Sequence, residues 1–361
     1  MVFLYLINKS KFIMSTKIYT YKKQFQLESG RILQGFNLGY TTLGKLNAER
    51  NNVIWVTHAL TANANPEEWW NGLIGKGKFY NPENYFIVCA NVLGSCYGST
   101  GPLSKNPDSG NSYYHNFPDL TIRDIVKSLD LLRTHLGIDQ IHTLLGGSLG
   151  GQQAVEWAIE KSTLVRHLFL VATNAQHSPW GKAFNESQRL AIKSDRTWFN
   201  YADDAGLKGL KTARSMALLS YRNYDTYATT QQDDDAKIDA FKAASYQNYQ
   251  GEKLVERFNA FSYWVLSKAM DSHNVARNKG SIKNALNQIK AKTLVVAISS
   301  DILFPVSESK VLQNGIENSE LLVMDSLYGH DGFLIETEQL KIEFEKFYKK
   351  NEIVKRLKIA I

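Results

Sequence analysis

The sequence predicts a doubly wound α/β fold, with a mostly parallel central sheet interrupted once by a helical insertion. Three observations lead there. Short apolar or β-branched runs recur at residues 53–57, 85–91, 141–145, 168–172, 293–298 and 320–324, bounded by Gly, Asn, Asp or Ser. Strands of a parallel sheet are covered on both faces, so they read as continuous apolar runs rather than as alternation. Helical spacing fills several of the gaps between these runs, and from about Ser178 to Lys292 the strand signal gives way to helical patterning.

Residues 24–33 and 34–42 read as an antiparallel hairpin leading into the sheet. The runs 53–57 and 85–91 follow, the second with Cys89 in its apolar interior. Residues 121–136 set Ile122, Ile125, Val126, Leu129, Leu132 and Leu136 at helical spacing, and Gly137 supplies the stop. The run 141–145 is followed by a helical pattern over 152–159, and 168–172 precedes the insertion. Within the insertion the clearest helices are predicted at 213–219, 234–245 and 253–270. The last carries Leu254, Phe258, Phe261, Val265 and Leu266 on one broad face, widened by Tyr263 and Trp264. A face of that kind is a core or subunit contact. Asp233, Asp234 and Asp235 read as a solvated helix start. Residues 14–177 and 293–361 then form the α/β core, and 178–292 form a helical lid over its active end. Residues 1–13 are apolar but too short to span a bilayer, and read as a disordered extension ahead of a second methionine, Met14. No segment reaches 18 uncharged apolar residues, so no membrane span is expected.

Bulk properties exclude several classes. The 361 residues are 43% hydrophobic and 21% charged, as in an ordinary globular protein. Two cysteines without metal-ligand spacing suit a reducing cytoplasm and imply neither a disulfide framework nor a metal. The net charge of +7 comes mostly from scattered lysines, with no nucleic-acid-binding motif beside them. It reads as a solvated basic surface, compatible with an anionic small molecule rather than a nucleic acid.

The stretch Gly146-Gly147-Ser148-Leu149-Gly150 carries the most chemistry. It has the G-x-S-x-G form of a nucleophile elbow and sits between a predicted strand and a predicted helix. Bulky residues at 146 and 150 would collide with the neighbouring strand and helix. A serine hydroxyl needs an imidazole to take its proton and a carboxylate to orient that imidazole. In elbow folds the order is serine, acid, histidine, each in a loop after a strand. Of the histidines after Ser148, His167 precedes a strand, His177 stands at the entrance of the insertion and His273 lies within it. His330 alone follows the last strand, and it is flanked by Gly329. Asp301 follows the run 293–298, whereas Asp325 sits at the strand end with poor reach. The triad is therefore Ser148, Asp301 and His330. Two backbone amides complete an oxyanion hole: Leu149, directly after the nucleophile, and Leu60, in the loop His58-Ala59-Leu60-Thr61.

The wider motif set resembles the homoserine O-acetyltransferase family of the α/β-hydrolase superfamily, from about Gln26 to Tyr348. The resemblance rests on His58-Ala59-Leu60-Thr61, Trp69-Trp70-Asn71-Gly72-Leu73-Ile74-Gly75 and Asn91-Val92-Leu93-Gly94. Tyr97-Gly98-Ser99-Thr100-Gly101-Pro102, the glycine-flanked serine, Ala154-Val155-Glu156-Trp157, Ala213-Arg214 and Ser220-Tyr221-Arg222 continue it. Ser300-Asp301-Ile302-Leu303-Phe304-Pro305 and Gly329-His330-Asp331-Gly332-Phe333-Leu334 complete it. The chain departs from the usual family pattern at Leu149, at Gln152 and in Ala62-Asn63-Ala64-Asn65, a loop that bears on donor and acceptor preference. The resemblance implies the same triad and adds Arg214 and Asp331 as binders of the amino-acid substrate. It implies acetyl transfer from acetyl-CoA, as co-substrate, to the homoserine hydroxyl by a ping-pong cycle in methionine biosynthesis, with no bound cofactor. It also implies a cytoplasmic homodimer assembled through the lid. Succinyl-CoA as donor, serine as acceptor, and water as acceptor in an esterase or thioesterase are the alternatives.

Overall fold

The structure, a computed structural model, describes residues 16–359, with side chains as far as residue 351. The predicted extension 1–13 lies outside the described residues. The strands of the main sheet are β1 (Lys17–Tyr21), β2 (Phe36–Leu43), β3 (Val53–Thr57), β4 (Phe86–Ala90), β5 (Ile141–Gly147), β6 (Val165–Val171), β7 (Lys292–Ile298) and β8 (Ser319–Met324). Their spatial order is β1-β2-β4-β3-β5-β6-β7-β8. From β4 to β8 every pairing is parallel, while β1 and β2 join antiparallel at one edge. All five residues of β3 are buried, which is why that run is apolar throughout.

The main helices are α1 (Ile122–His135), α2 (Leu149–Glu160), α3 (Pro179–Lys193), α4 (Leu207–Tyr221), α5 (Tyr224–Thr230), α6 (Lys242–Val255), α7 (Ala260–Asp271), α8 (Ile282–Leu286), α9 (Val306–Gly315) and α10 (Thr337–Ile359). A reciprocal cap starts α1: the Thr121 hydroxyl accepts from the Asp124 amide, and the Asp124 carboxylate accepts from the Thr121 amide. The sheet is covered on both faces. On one, Trp55 of β3 meets Trp157 of α2 edge-on at 4.9 Å between ring centroids. On the other, Phe169 of β6 stacks on Phe344 of α10 at 4.3 Å.

Three expectations about elements are corrected. Residues 24–33 and 34–42 do not form a hairpin. Phe25–Gln26 pairs with Ile32–Leu33 in a small separate sheet, and β2 pairs instead with β1. The pattern at 234–245 begins as turns, and α6 starts only at Lys242, whose amide donates to the Asp233 carboxylate. The pattern at 253–270 is two helices, broken where Asn259 caps α7 by accepting from the Ser262 amide at 2.7 Å. Its apolar face belongs to this chain's own core: Phe261 is 2% exposed and Val265 6%. Of the two contacts the sequence allowed this face, core or subunit, it makes the core contact, and these two residues are closed to a subunit interface. Helices α3 to α8 lie between β6 and β7 in chain order. No helix of the described residues is long and apolar enough to cross a membrane.

Candidate active site

Ser148 stands at the junction of β5 and α2 with φ +56° and ψ −126°, a strained conformation that lifts its hydroxyl clear of the sheet. The backbone around it is crowded. A Cβ on Gly150 would lie 2.1 Å from the Thr57 carbonyl oxygen, and one on Gly146 would lie 2.3 Å from the Gly150 carbonyl oxygen. Hydrogen bonds hold the elbow in place: the Ser148 amide donates to the Val171 carbonyl at 3.0 Å, and the Thr173 hydroxyl donates to the Ser148 carbonyl at 2.9 Å.

Loops after three parallel strands bring together the residues predicted from chain order. The Ser148 hydroxyl lies 2.9 Å from Nε2 of His330, and Nδ1 of His330 lies 2.7 Å from Oδ2 of Asp301. The other carboxylate oxygen of Asp301 accepts from the Leu303 and Phe304 amides at 2.8 and 2.9 Å, which fixes its direction. With the His330 proton on Nδ1, Nε2 faces the serine as an acceptor. All three side chains are buried. Burial alone would pull the His330 pKa down. The charge and hydrogen bond of Asp301, joined by the charge of Asp331, outweigh it and leave the pKa above the ordinary 6.5. Asp325, the rejected acid, instead accepts a hydrogen bond from the Ser299 hydroxyl.

Among the described residues neither the Leu60 nor the Leu149 amide donates to a protein acceptor. Leu149 is the first residue of α2, so its amide is one of the orphan donors of a helix start. The loop carrying Leu60 is anchored by His58. Its Nε2 accepts from the Val92 amide at 3.0 Å, and its Nδ1 donates to the Ala59 carbonyl at 2.8 Å. Burial holds the pKa of His58 down to about 4, so the ring stays neutral and keeps both bonds at neutral pH.

Ser148, Leu60, His330, Arg214 and Asp331 line one cavity of about 310 Å3. Arg214 projects from α4 with its guanidinium 5.3 Å from the centre of the Tyr221 ring. Asp331 follows the histidine and forms an ion pair with Arg222, Nε to Oδ2, at 2.9 Å. Nothing in the sequence marks a role for Arg222, nor for Lys253, Arg257, Glu68 and Trp69, which also line the cavity. The Ser-Tyr-Arg motif was in view, but nothing local tells which carboxylate its arginine meets. No cluster of three or more potential metal-ligating side chains occurs among the described residues. The cavity thus combines a nucleophile with its base and acid, two free amides beside it, and separate cationic and anionic groups able to grip a zwitterion.

Residues 52–337 match the sequence profile of the family described as alpha/beta hydrolase fold. A homoserine O-acetyltransferase of Cyclobacterium marinum is 51% identical over 338 residues, covering 94% of this chain and 96% of that protein. The crystal structure of homoserine O-acetyltransferase from Bacillus anthracis superposes with a TM-score of 0.84 at 27% identity, covering 92% of this chain and 96% of that one. Esterase E22 superposes with a TM-score of 0.82 at 22% identity, over 92% of this chain and 99% of that one, a likeness of fold alone.

Proposed function

Because the chain belongs to the α/β-hydrolase fold family and, within it, to the homoserine O-acetyltransferases, we propose that it acetylates the homoserine hydroxyl through an acetyl-serine at Ser148. The single observation that carries the mechanism is the hydrogen-bonded line Ser148, His330, Asp301 opening into the cavity that also holds Arg214 and Asp331.

In the first half-reaction Ser148 Oγ attacks the thioester carbonyl of acetyl-CoA while His330 Nε2 takes its proton. The oxyanion is received by the Leu60 and Leu149 amides. Collapse breaks the carbon–sulfur bond, and the proton on His330 passes to the departing thiolate of CoA. In the second half, the homoserine hydroxyl gives its proton to His330 and attacks the acetyl carbon; Ser148 leaves and recovers that proton. Asp301 keeps the imidazole in the useful tautomer and supports its positive charge. Arg214 grips the acceptor carboxylate bidentately, and the free oxygen of Asp331 takes the ammonium. Helices α3 to α8 act as a lid that limits water, and the product enters methionine biosynthesis in the cytoplasm.

We also propose a homodimer formed through the lid. Its supporting surface is the outer side of α4, α5 and α6 and the turns before α6, where Leu219 is 55% exposed, Tyr224 84%, Ile238 92% and Tyr249 53%.

The test is to incubate the enzyme with acetyl-CoA, with and without homoserine, and weigh protein and products. Acetyl-CoA alone should add one acetyl group at Ser148, and homoserine should remove it as O-acetylhomoserine. Ser148→Ala should give no adduct and lower turnover roughly a millionfold. Acetate release at the same rate with or without homoserine would establish an esterase instead. An acetylated protein discharged by serine but not homoserine would redirect the acceptor assignment.

A further inference from the structure

Two cations at the mouth of the cavity have no task in the cycle described above. Lys253 lies in the last turn of α6, and Arg257 lies four residues later, just past its end. Both line the cavity that contains Ser148. Neither has a carboxylate within 4.0 Å among the described residues, whereas Lys211, packed beside the same helix, is paired with Glu252 at 2.8 Å. The acceptor does not need them: a single α-carboxylate is satisfied by Arg214, and an ammonium has Asp331.

The remaining charge at the site leaves them unbalanced. Its carboxylates are Glu68 and Asp331. Asp331 is already matched by Arg222, and Glu68, which accepts from the neutral Asn63 side-chain amide at 3.1 Å, offsets only one of Arg214, Lys253 and Arg257, so the lining stays net positive. Arg257 is exposed, and only its Nη1 is engaged, donating to the Thr61 carbonyl at 2.5 Å and the Tyr97 hydroxyl at 2.7 Å. Its Nε and Nη2 donate to no protein acceptor among the described residues. A guanidinium tethered at one nitrogen with its others free is oriented for a phosphate outside the protein. Ser148 is 6% exposed whereas Arg257 is exposed, so a nucleotide-bearing donor whose acyl end reaches the serine runs outward past these cations. Such a donor would insert its acyl end and leave its phosphates at the mouth.

We infer that Lys253 and Arg257 form a phosphate-binding site for the acyl donor, and that it selects phosphorylated pantetheine thioesters over simple ones. This rests on the acyl-serine reading above and adds which part of the donor is recognised. Because Arg257 also holds the Thr61 carbonyl, beside Leu60, its substitution can disturb the oxyanion loop. Lys253 makes no such contact and gives the cleaner variant.

The experiment measures the rate constant for acetylation of Ser148, per molar donor, with acetyl-CoA, acetyl-dephospho-CoA and S-acetylpantetheine. The expected order is acetyl-CoA fastest and S-acetylpantetheine slowest, with the gap narrowing as salt is added. Lys253→Glu and Arg257→Gln should each cut the preference for acetyl-CoA over S-acetylpantetheine by about tenfold, the scale of one charged hydrogen bond. A drop confined to acetyl-CoA against its dephospho form assigns the 3′-phosphate; one shared by both assigns the pyrophosphate. Equal losses on all three donors in the Lys253 variant, or no preference in the unaltered enzyme, overturn the inference while the acyl-serine stands. If no donor acetylates Ser148, the acyl-serine reading falls and the inference falls with it.

Discussion

In the proposed cycle His330 works as a base only when neutral, and its raised pKa therefore has a kinetic consequence. The rate constant for acetylation should climb with pH through a midpoint above 6.5. Asp301→Asn removes the larger of the two charges that lift the pKa and leaves burial, which depresses it, opposed only by Asp331. The remaining activity should then show a midpoint lower than that of the unaltered enzyme, in a profile read from pre-steady-state acetylation. An unmoved midpoint would mean that Asp301 does not set the titration. In the same proposal Arg222 acts at one remove, by its ion pair with Asp331. Arg222→Ala should raise the KM for homoserine about tenfold and leave acetylation by acetyl-CoA nearly intact, with Arg222→Lys recovering part of the loss. Equal damage to both half-reactions would instead indicate a displaced His330. The contrast between these residues also shows what a sequence can carry. Ser148, Asp301 and His330 are legible because each stands at a fixed place, just after a strand, in a fixed chain order. Arg222, Lys253 and Arg257 are not, because their meaning depends on which remote segment folds against them.

Strands were legible wherever burial on both faces forced an unbroken apolar run, as in β3 and β4. The edge was not. β1 is the sequence Lys-Ile-Tyr-Thr-Tyr, largely exposed, and carries neither an apolar run nor a clean alternation. The single helix expected over 253–270 failed for the opposite reason. Its apolar stripe runs on unbroken, although Asn259, three residues before Ser262, was a visible start signal. The strand–turn–helix unit at Ser148 leaves little room for small changes. Gly150→Ala drives a methyl group into the Thr57 carbonyl, a backbone atom that cannot swing aside. It should cost about 1–3 kcal/mol, measured as a fall in the urea midpoint, and should abolish acetylation by shifting the hydroxyl. Full activity with unchanged stability would show that the elbow has slack the geometry does not suggest.

At the scale of the whole molecule, the helical block reaches outward and inward at once. If its apolar outer side joins two copies, sedimentation at micromolar concentration should show a dimer, and Leu219→Glu or Tyr249→Glu should shift it toward monomer. A monomer before substitution would remove that assembly. The inner side meets the loop that carries His330. There Gly329, at φ +59°, approaches the Arg222 backbone so closely that an added Cβ would come within 2.9 Å. The Thr226 hydroxyl bonds the Leu327 carbonyl, and the Tyr221 ring lies 5.8 Å from the His330 ring. The end of α4 is thus a stop against which the base is seated, so the block cannot swing away there without unseating His330. Breathing that admits and releases ligands is then expected elsewhere in the block, and its largely exposed part is the turns at 231–241, before α6. Hydrogen–deuterium exchange should register this as a gradient, with amides at the end of α4 protected nearly as long as those of β5 and amides in the turns before α6 labelling first. A block that labelled uniformly and early would instead be a loose cover, with its catalytic base free to wander each time it lifted.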